Sequence, residues 1–65
     1  MKTLTAYAAI RETGDVEWID IDTISGHPST ARKITEKDAV KMPEWVESNP
    51  VKRIVEVEIK EVQTA

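Results

Sequence analysis

The run Val51–Val62 constrains this chain more than any other feature. Val55, Val57 and Ile59 alternate with Glu56, Glu58 and Lys60, and a period of two is the signature of a half-buried β-strand rather than a helix. Such a strand needs partners, and a chain of 65 residues has room for few. A domain of this size buries only about 60% of the surface its unfolded chain exposes, enough for one sheet and one or two helices. The sequence is therefore read as a single domain over residues 1–65.

Two further strands are legible upstream. Thr3–Glu12 sets Leu4, Ala6, Ala8 and Ile10 on one face, with Thr3, Thr5, Tyr7 and Arg11 on the other. The two alanines in the apolar row leave space for a helix to approach. Gly14-Asp15 supplies a turn, because glycine reaches positive φ at little cost. Val16–Ile24 then forms the second strand of a hairpin. Trp18 and Ile19 are neighbours and cannot both point inward in a regular strand. Turning Trp18 inward also buries Asp20 and Asp22, which is costly without partners. Ile19 and Ile21 are therefore placed inside, with Trp18 on the outer face unless a bulge rotates it.

Ser25-Gly26-His27-Pro28 breaks the strand, and a helix opens at Pro28 or Ser29, where proline is tolerated. It runs to about Lys41. Thr35 and Asp38 resemble a capping box with Asp in place of Glu, so the helix either starts late or is interrupted there. Pro43–Val46 reads as a second helical turn, closed by Asn49-Pro50. Trp45 reads as a plug for the end of the sheet. The tail from Gln63 is expected to fray. The order ββαβ gives an α+β fold with the helical segment packed on one face of a three-stranded sheet. Pairing the third strand with the first keeps every neighbour antiparallel, which gives strand order 2-1-3 and allows one solvated face.

Charge bears on what that face does. The formal net charge is −3 with pI near 5.0, unlike the basic stripe of a nucleic-acid binder. Residues 15–22 carry four acids and no base, whereas residues 28–41 carry four bases against two acids. The expected topology brings Asp20 and Asp22 to one edge strand and Glu56 and Glu58 to the other, flanking Thr3, Thr5 and Tyr7. These carboxylates are either a solvated face that discourages edge pairing or a contact for a basic partner. Tyr7 and Trp18 are candidate anchors there, since interface hot spots are enriched in Tyr and Trp. One such row carries a charge every ~6.7 Å, sparser than the ~1.7 Å spacing of duplex DNA, so mimicry of DNA would be partial.

Catalysis finds little support. His27 is the single histidine and sits in a Gly-His-Pro turn without the oriented partners that acid–base or metal chemistry requires. No phosphate loop, nucleotide fingerprint, nucleophile elbow or zinc spacing occurs, and with no cysteine there is no disulfide, thiolate or sulfur metal site. No catalytic residue, metal ligand or cofactor is assigned. Neither a secretory signal nor a run of about 20 apolar residues is present, so a soluble, cytoplasmic protein is expected.

Taken together, Thr3–Arg11, the Gly14-Asp15 turn, Trp18–Asp22, a short helix and the closing Val55–Val62 resemble small accessory proteins of bacteriophages and prophages. Anti-CRISPR proteins are among those similar in size and acidity; they inhibit CRISPR–Cas complexes by binding them, sometimes in place of DNA. The resemblance is one of layout and assigns no residue. It implies a non-enzymatic inhibitor of a host nucleic-acid-handling complex, such as a CRISPR–Cas component, in the host cytoplasm. Asp20, Asp22, Glu56 and Glu58 would then face a basic surface on the host protein, with Tyr7 and Trp18 as anchors. The alternative is an assembly module that homodimerises through its open sheet or an edge strand. Direct nucleic-acid binding through Arg32, Lys33, Lys37 and Lys41 is the weaker third reading.

Overall fold

Gly14 and Asp15 join the first two strands as a two-residue hairpin loop, and Gly14 supplies the positive φ of 61° that the turn needs. Glycine first in the loop, followed by a residue with negative φ, fits the type II′ turn that matches strand twist. The computed structural model describes residues 2–61. Its elements are β1 (Thr3–Thr13), β2 (Val16–Ser25), α1 (Pro28–Lys41), α2 (Pro43–Ser48) and β3 (Val51–Lys60). The strands form one antiparallel sheet in the order β2-β1-β3, the α+β arrangement expected from the alternation. The expected continuation of the third strand to Val62, and the tail after it, lie outside the described residues.

α1 is unbroken. The Thr35 hydroxyl donates back to the Arg32 carbonyl at 2.6 Å, and Asp38 turns toward Arg11, so neither serves the interruption expected there. Pro28 occupies the first turn; Met42 ends α1 by donating its N–H to the Asp38 carbonyl, and Pro43 opens α2.

The two strand pairs differ in regularity. β1 pairs with β3 almost without a break from Thr3↔Lys60 to Ile10↔Arg53, with a shift only before Arg11↔Val51. Against β2, regular pairing runs from Thr13↔Val16 to Ala9↔Asp20, and the next partners are Tyr7↔Ser25. Residues 21–24 therefore stray from the ladder. The buried Thr23 repairs the gap: its hydroxyl accepts the Ala9 N–H at 2.8 Å and donates to the Asp20 carbonyl at 2.6 Å, so these buried backbone groups stay paired.

Directly opposed residues share a face, so the register sorts the sheet into two sides. One carries Tyr7, Ala9, Arg11, Asp20, Trp18, Ile54, Glu56 and Glu58; the other carries Leu4, Ala6, Ala8, Ile10, Ile19, Val55, Val57 and Ile59. Among the described residues, every side-chain hydrogen bond, ion pair and ring contact between helices and sheet falls on the first side. The helices thus cover the Ala9/Arg11 side. The side with the apolar row, into which Ile19 is expected to pack beneath a helix, is not covered by the helices: Ala6, Ala8 and Ile10 in its middle are buried, but Leu4 is 61% exposed, Ile19 47% and Ile59 40%. Ile21, likewise expected inside, is exposed.

Candidate functional site

Arg11 explains why the helices sit where they do. Its side chain is fully buried, as is Asp20 nearly so, and both lie on the covered side of the sheet. The guanidinium donates from Nε to Asp20 Oδ2 at 2.7 Å, from Nη1 to the Asn49 carbonyl at 2.9 Å and from Nη2 to Asp38 Oδ2 at 3.4 Å. Its central carbon lies 4.8 Å from the centroid of Trp45, within the range of a cation–π contact. One residue of β1 thereby ties β2, α1 and the end of α2 together.

A second chain of bonds closes the cluster. The Trp18 indole N–H donates to the Thr13 hydroxyl at 2.8 Å, and that hydroxyl donates in turn to Asn49 Oδ1. The Asn49 amide donates to the Trp45 carbonyl at 2.8 Å, capping α2. Trp18 and Trp45 meet edge to face with centroids 6.3 Å apart, the geometry favoured by aromatic quadrupoles. Among the described residues no buried side-chain nitrogen or oxygen lacks a partner. A satisfied buried network of this kind holds a fold; it offers no free group to a ligand.

The six residues expected to form an acidic contact are divided by this arrangement. Asp20 is withdrawn: it is 5% exposed and ion-paired to Arg11, and its second oxygen accepts the Asp22 backbone N–H at 3.1 Å. Trp18 is half-buried against Trp45 rather than free on an outer face. Asp22, Glu56 and Glu58 are exposed, and Tyr7 is half-buried. Glu56 lies opposite Tyr7 and Glu58 opposite Thr5, so a shorter acidic row survives along β3. The cost of burying Asp20 rules out burial only when no cation is near, and Arg11 is that cation.

The open side presents different chemistry. At its hairpin end Glu12 and Glu17 stand directly opposite each other, a pairing that repels. Each is answered by a base from β3: Lys52 Nζ lies 3.1 Å from Glu12, and Arg53 reaches across β1 to Glu17 with two bonds of 2.9 and 3.3 Å. The hydrogen bond from Arg53, and then its charge, hold the Glu17 carboxyl below its ordinary value, and the same contact raises Arg53. Beyond this quartet the middle of the side is aliphatic, and Lys2 and Glu61 follow at its far end, joined backbone to backbone. Ala6 and Ala8 of β1 lie between Val57 and Val55 of β3 and the β2 strand, and Leu4 opposes Ile59 at the far end.

Other surfaces are less organised. Lys33, Glu36, Lys37 and Val40 line a shallow, open depression on α1. His27 is exposed in its turn, its side chain making no cap to α1. No helix among the described residues is long and apolar enough to cross a membrane. No family model, curated protein or solved structure matches this chain.

Proposed function

We propose that this protein is a non-enzymatic assembly module that self-associates through the open side of its sheet. The observation that supports the reading is the inversion of the two sides: polar side chains are buried under the helices, while on the uncovered side Leu4, Ile19 and Ile59 stay exposed around the buried Ala6, Ala8 and Ile10. Exposed apolar patches of this kind characterise interaction surfaces. A second copy is the occupant that the charges favour. The charged groups of that side balance, Glu12 and Glu17 being paired with Lys52 and Arg53 and Lys2 standing opposite Glu61 past Leu4 and Ile59, so the side is neutral although the chain carries −3. A strongly basic or acidic partner would gain nothing there, and an identical neutral surface meets no repulsion.

Size sets the strength. Three strands spaced about 4.8 Å apart and ten residues long, at about 3.3 Å per residue, cover about 480 Å² in projection. Two copies then bury at most about 1,000 Å², the lower bound for a specific interface, because Ala6, Ala8 and Ile10 are already buried. The dimer is accordingly a weak, concentration-dependent one. Sedimentation equilibrium across a wide concentration range tests this: reversible dimerisation that Leu4→Lys with Ile59→Lys abolishes supports it, and a monomer at every concentration refutes it.

One observation favours a second reading. The exposed pair Glu56 and Glu58 along β3, with Glu56 opposite Tyr7, supports a surface for a basic host protein, including a component of a nucleic-acid-handling complex such as CRISPR–Cas. That inhibitor reading rests on two carboxylates and Tyr7, without Asp20 and with Asp22 exposed outside the ladder. Charge reversal at Glu56 and Glu58 that leaves binding to a purified CRISPR–Cas complex intact would remove it.

A further inference from the structure

We infer that the free edge of β3 takes up an extended segment of a partner protein as an added antiparallel strand, with Lys or Arg of that segment opposite Glu56 and Glu58; this rests on the acidic pair of the second reading above. The order β2-β1-β3 leaves two edges, and they differ. Along β2, residues 21–24 leave the ladder, an irregularity of the kind that blunts an edge. β3 stays regular from Arg53 to Lys60. The Glu61 N–H donates to the Lys2 carbonyl at 3.0 Å, and bonded pairs alternate with non-bonded ones along an antiparallel ladder. The register therefore turns the backbone groups of Val55, Val57 and Ile59 toward β1 and those of Ile54, Glu56, Glu58 and Lys60 away from it. The Ala9 N–H agrees: Ala9 lies opposite Ile54, yet its N–H goes to Thr23 on the β2 side. Among the described residues, no turn, cap or loop bond takes up the outward groups. Such a row is a template for strand addition.

Charge selects the occupant. Glu56 and Glu58 are exposed on one side of this edge, and neither enters an ion pair among the described residues. On the other side lie Val55 and Val57, half-buried, and Ile59, exposed. A strand that alternates basic and aliphatic residues matches both rows at once, each base opposite a carboxylate and each aliphatic beside Val55, Val57 or Ile59. A second copy matches poorly. Antiparallel pairing of two β3 edges about an axis at Glu56 or Val57 sets Glu56 against Glu56 or Glu58, and an axis at Val55 sets it against Ile54. An axis at Glu58 brings Lys60 to Glu56 but sets Glu58 against itself. Like charges directly opposite destabilise a sheet. Lys52 and Arg53 give no relief, since they hold Glu12 and Glu17 on the other side of the sheet.

The probe is a synthetic peptide of alternating Lys and Val, titrated into the full chain at concentrations where the protein is monomeric and followed by amide NMR and hydrogen exchange. In the antiparallel pairing the lysines opposite Glu56 and Glu58 exchange hydrogen bonds with them, and the valine N–H groups point away. Exchange is expected to slow at Ile54, Glu56 and Glu58, while Val55 and Val57, already bonded to β1, stay unchanged. N-methylation of the peptide at its lysines should abolish binding, and at its valines should leave it intact. Glu56→Gln with Glu58→Gln, verified as folded by circular dichroism, should weaken binding about fivefold or more. A peptide of alternating Glu and Val that binds equally well overturns the charge selection. Binding that survives N-methylation at the lysines overturns strand addition and leaves the acidic pair as a side-chain contact. A Lys/Val peptide that does not bind overturns the edge site, and the assay with a purified CRISPR–Cas complex then decides the second reading separately.

Discussion

The two sides of this sheet reverse the usual division of labour. Under the helices lie Arg11, Asp20, Thr23 and Asn49, all buried, whereas Leu4, Ile19 and Ile59 face outward on the other side. The difference teaches that covering a sheet is decided by which side can satisfy what approaches it. The inner stripe of α1, Ala31, Ile34, Thr35 and Asp38, includes a carboxylate. Laid on the aliphatic row, Asp38 would lose its water without gaining a partner; laid over Arg11, it gains one. The helices leave Leu4, Ile19 and Ile59 exposed on the other side.

The comparison can be broken most forcefully at Arg11. Removing one partner of a buried ion pair costs about 3–5 kcal/mol, and a domain of 65 residues has about 3–10 kcal/mol in all at typical per-residue stability. Arg11→Ala is therefore expected to remove about a third or more of that stability, read as a much lower urea midpoint by circular dichroism. Arg11→Met combined with Asp20→Leu should recover part of the loss, because the uncompensated carboxylate is gone. Thr13→Val interrupts the chain from Trp18 to Asn49 and should cost about 0.5–1.5 kcal/mol, since the Trp18–Thr13 bond is exposed and water can replace it. On the open side the expectation reverses: Leu4→Lys and Ile59→Lys should change monomer stability by about 0.5 kcal/mol or less while removing self-association.

The smallest effect belongs to Glu17. Its carboxyl is held below its ordinary value of 4.5 by Arg53, so the pair's contribution is present above that pH and is lost as pH falls through the lowered value. Melting curves of the unaltered protein and Glu17→Gln should differ slightly at neutral pH and converge on strong acidification. Added salt should narrow the gap, since the pair is exposed.

Much of this architecture is legible in the sequence. The alternation of Val55 through Lys60, the Gly14-Asp15 turn and the prolines at 28, 43 and 50 mark the elements closely. Even the separation of Trp18 and Asp20 from Ile19 is readable from period two. The side chosen by the helices is harder, because it depends on a pair rather than on a pattern. Burying Asp20 looks prohibitive until the two-residue turn is used to count register, which sets Arg11 opposite Trp18 and diagonal to Asp20. Asp38 on the inner stripe of α1 is a second available signal, since a helix with a carboxylate on that stripe needs a donor beneath it. The departure of residues 21–24 from the ladder has no such signal. No glycine or proline marks it, and the Thr23 hydroxyl that compensates acts through tertiary placement alone.

The most direct test of the inverted sides is a dilution series followed by methyl and amide NMR. On concentration, resonances of Leu4, Ala6, Ile19, Val55, Val57 and Ile59 should shift together along one binding curve. The Trp18 and Trp45 indole signals and the amides of Tyr7 and Glu56 should stay fixed. Shifts confined to Tyr7, Glu56 and Glu58, or none anywhere, would contradict an open aliphatic contact.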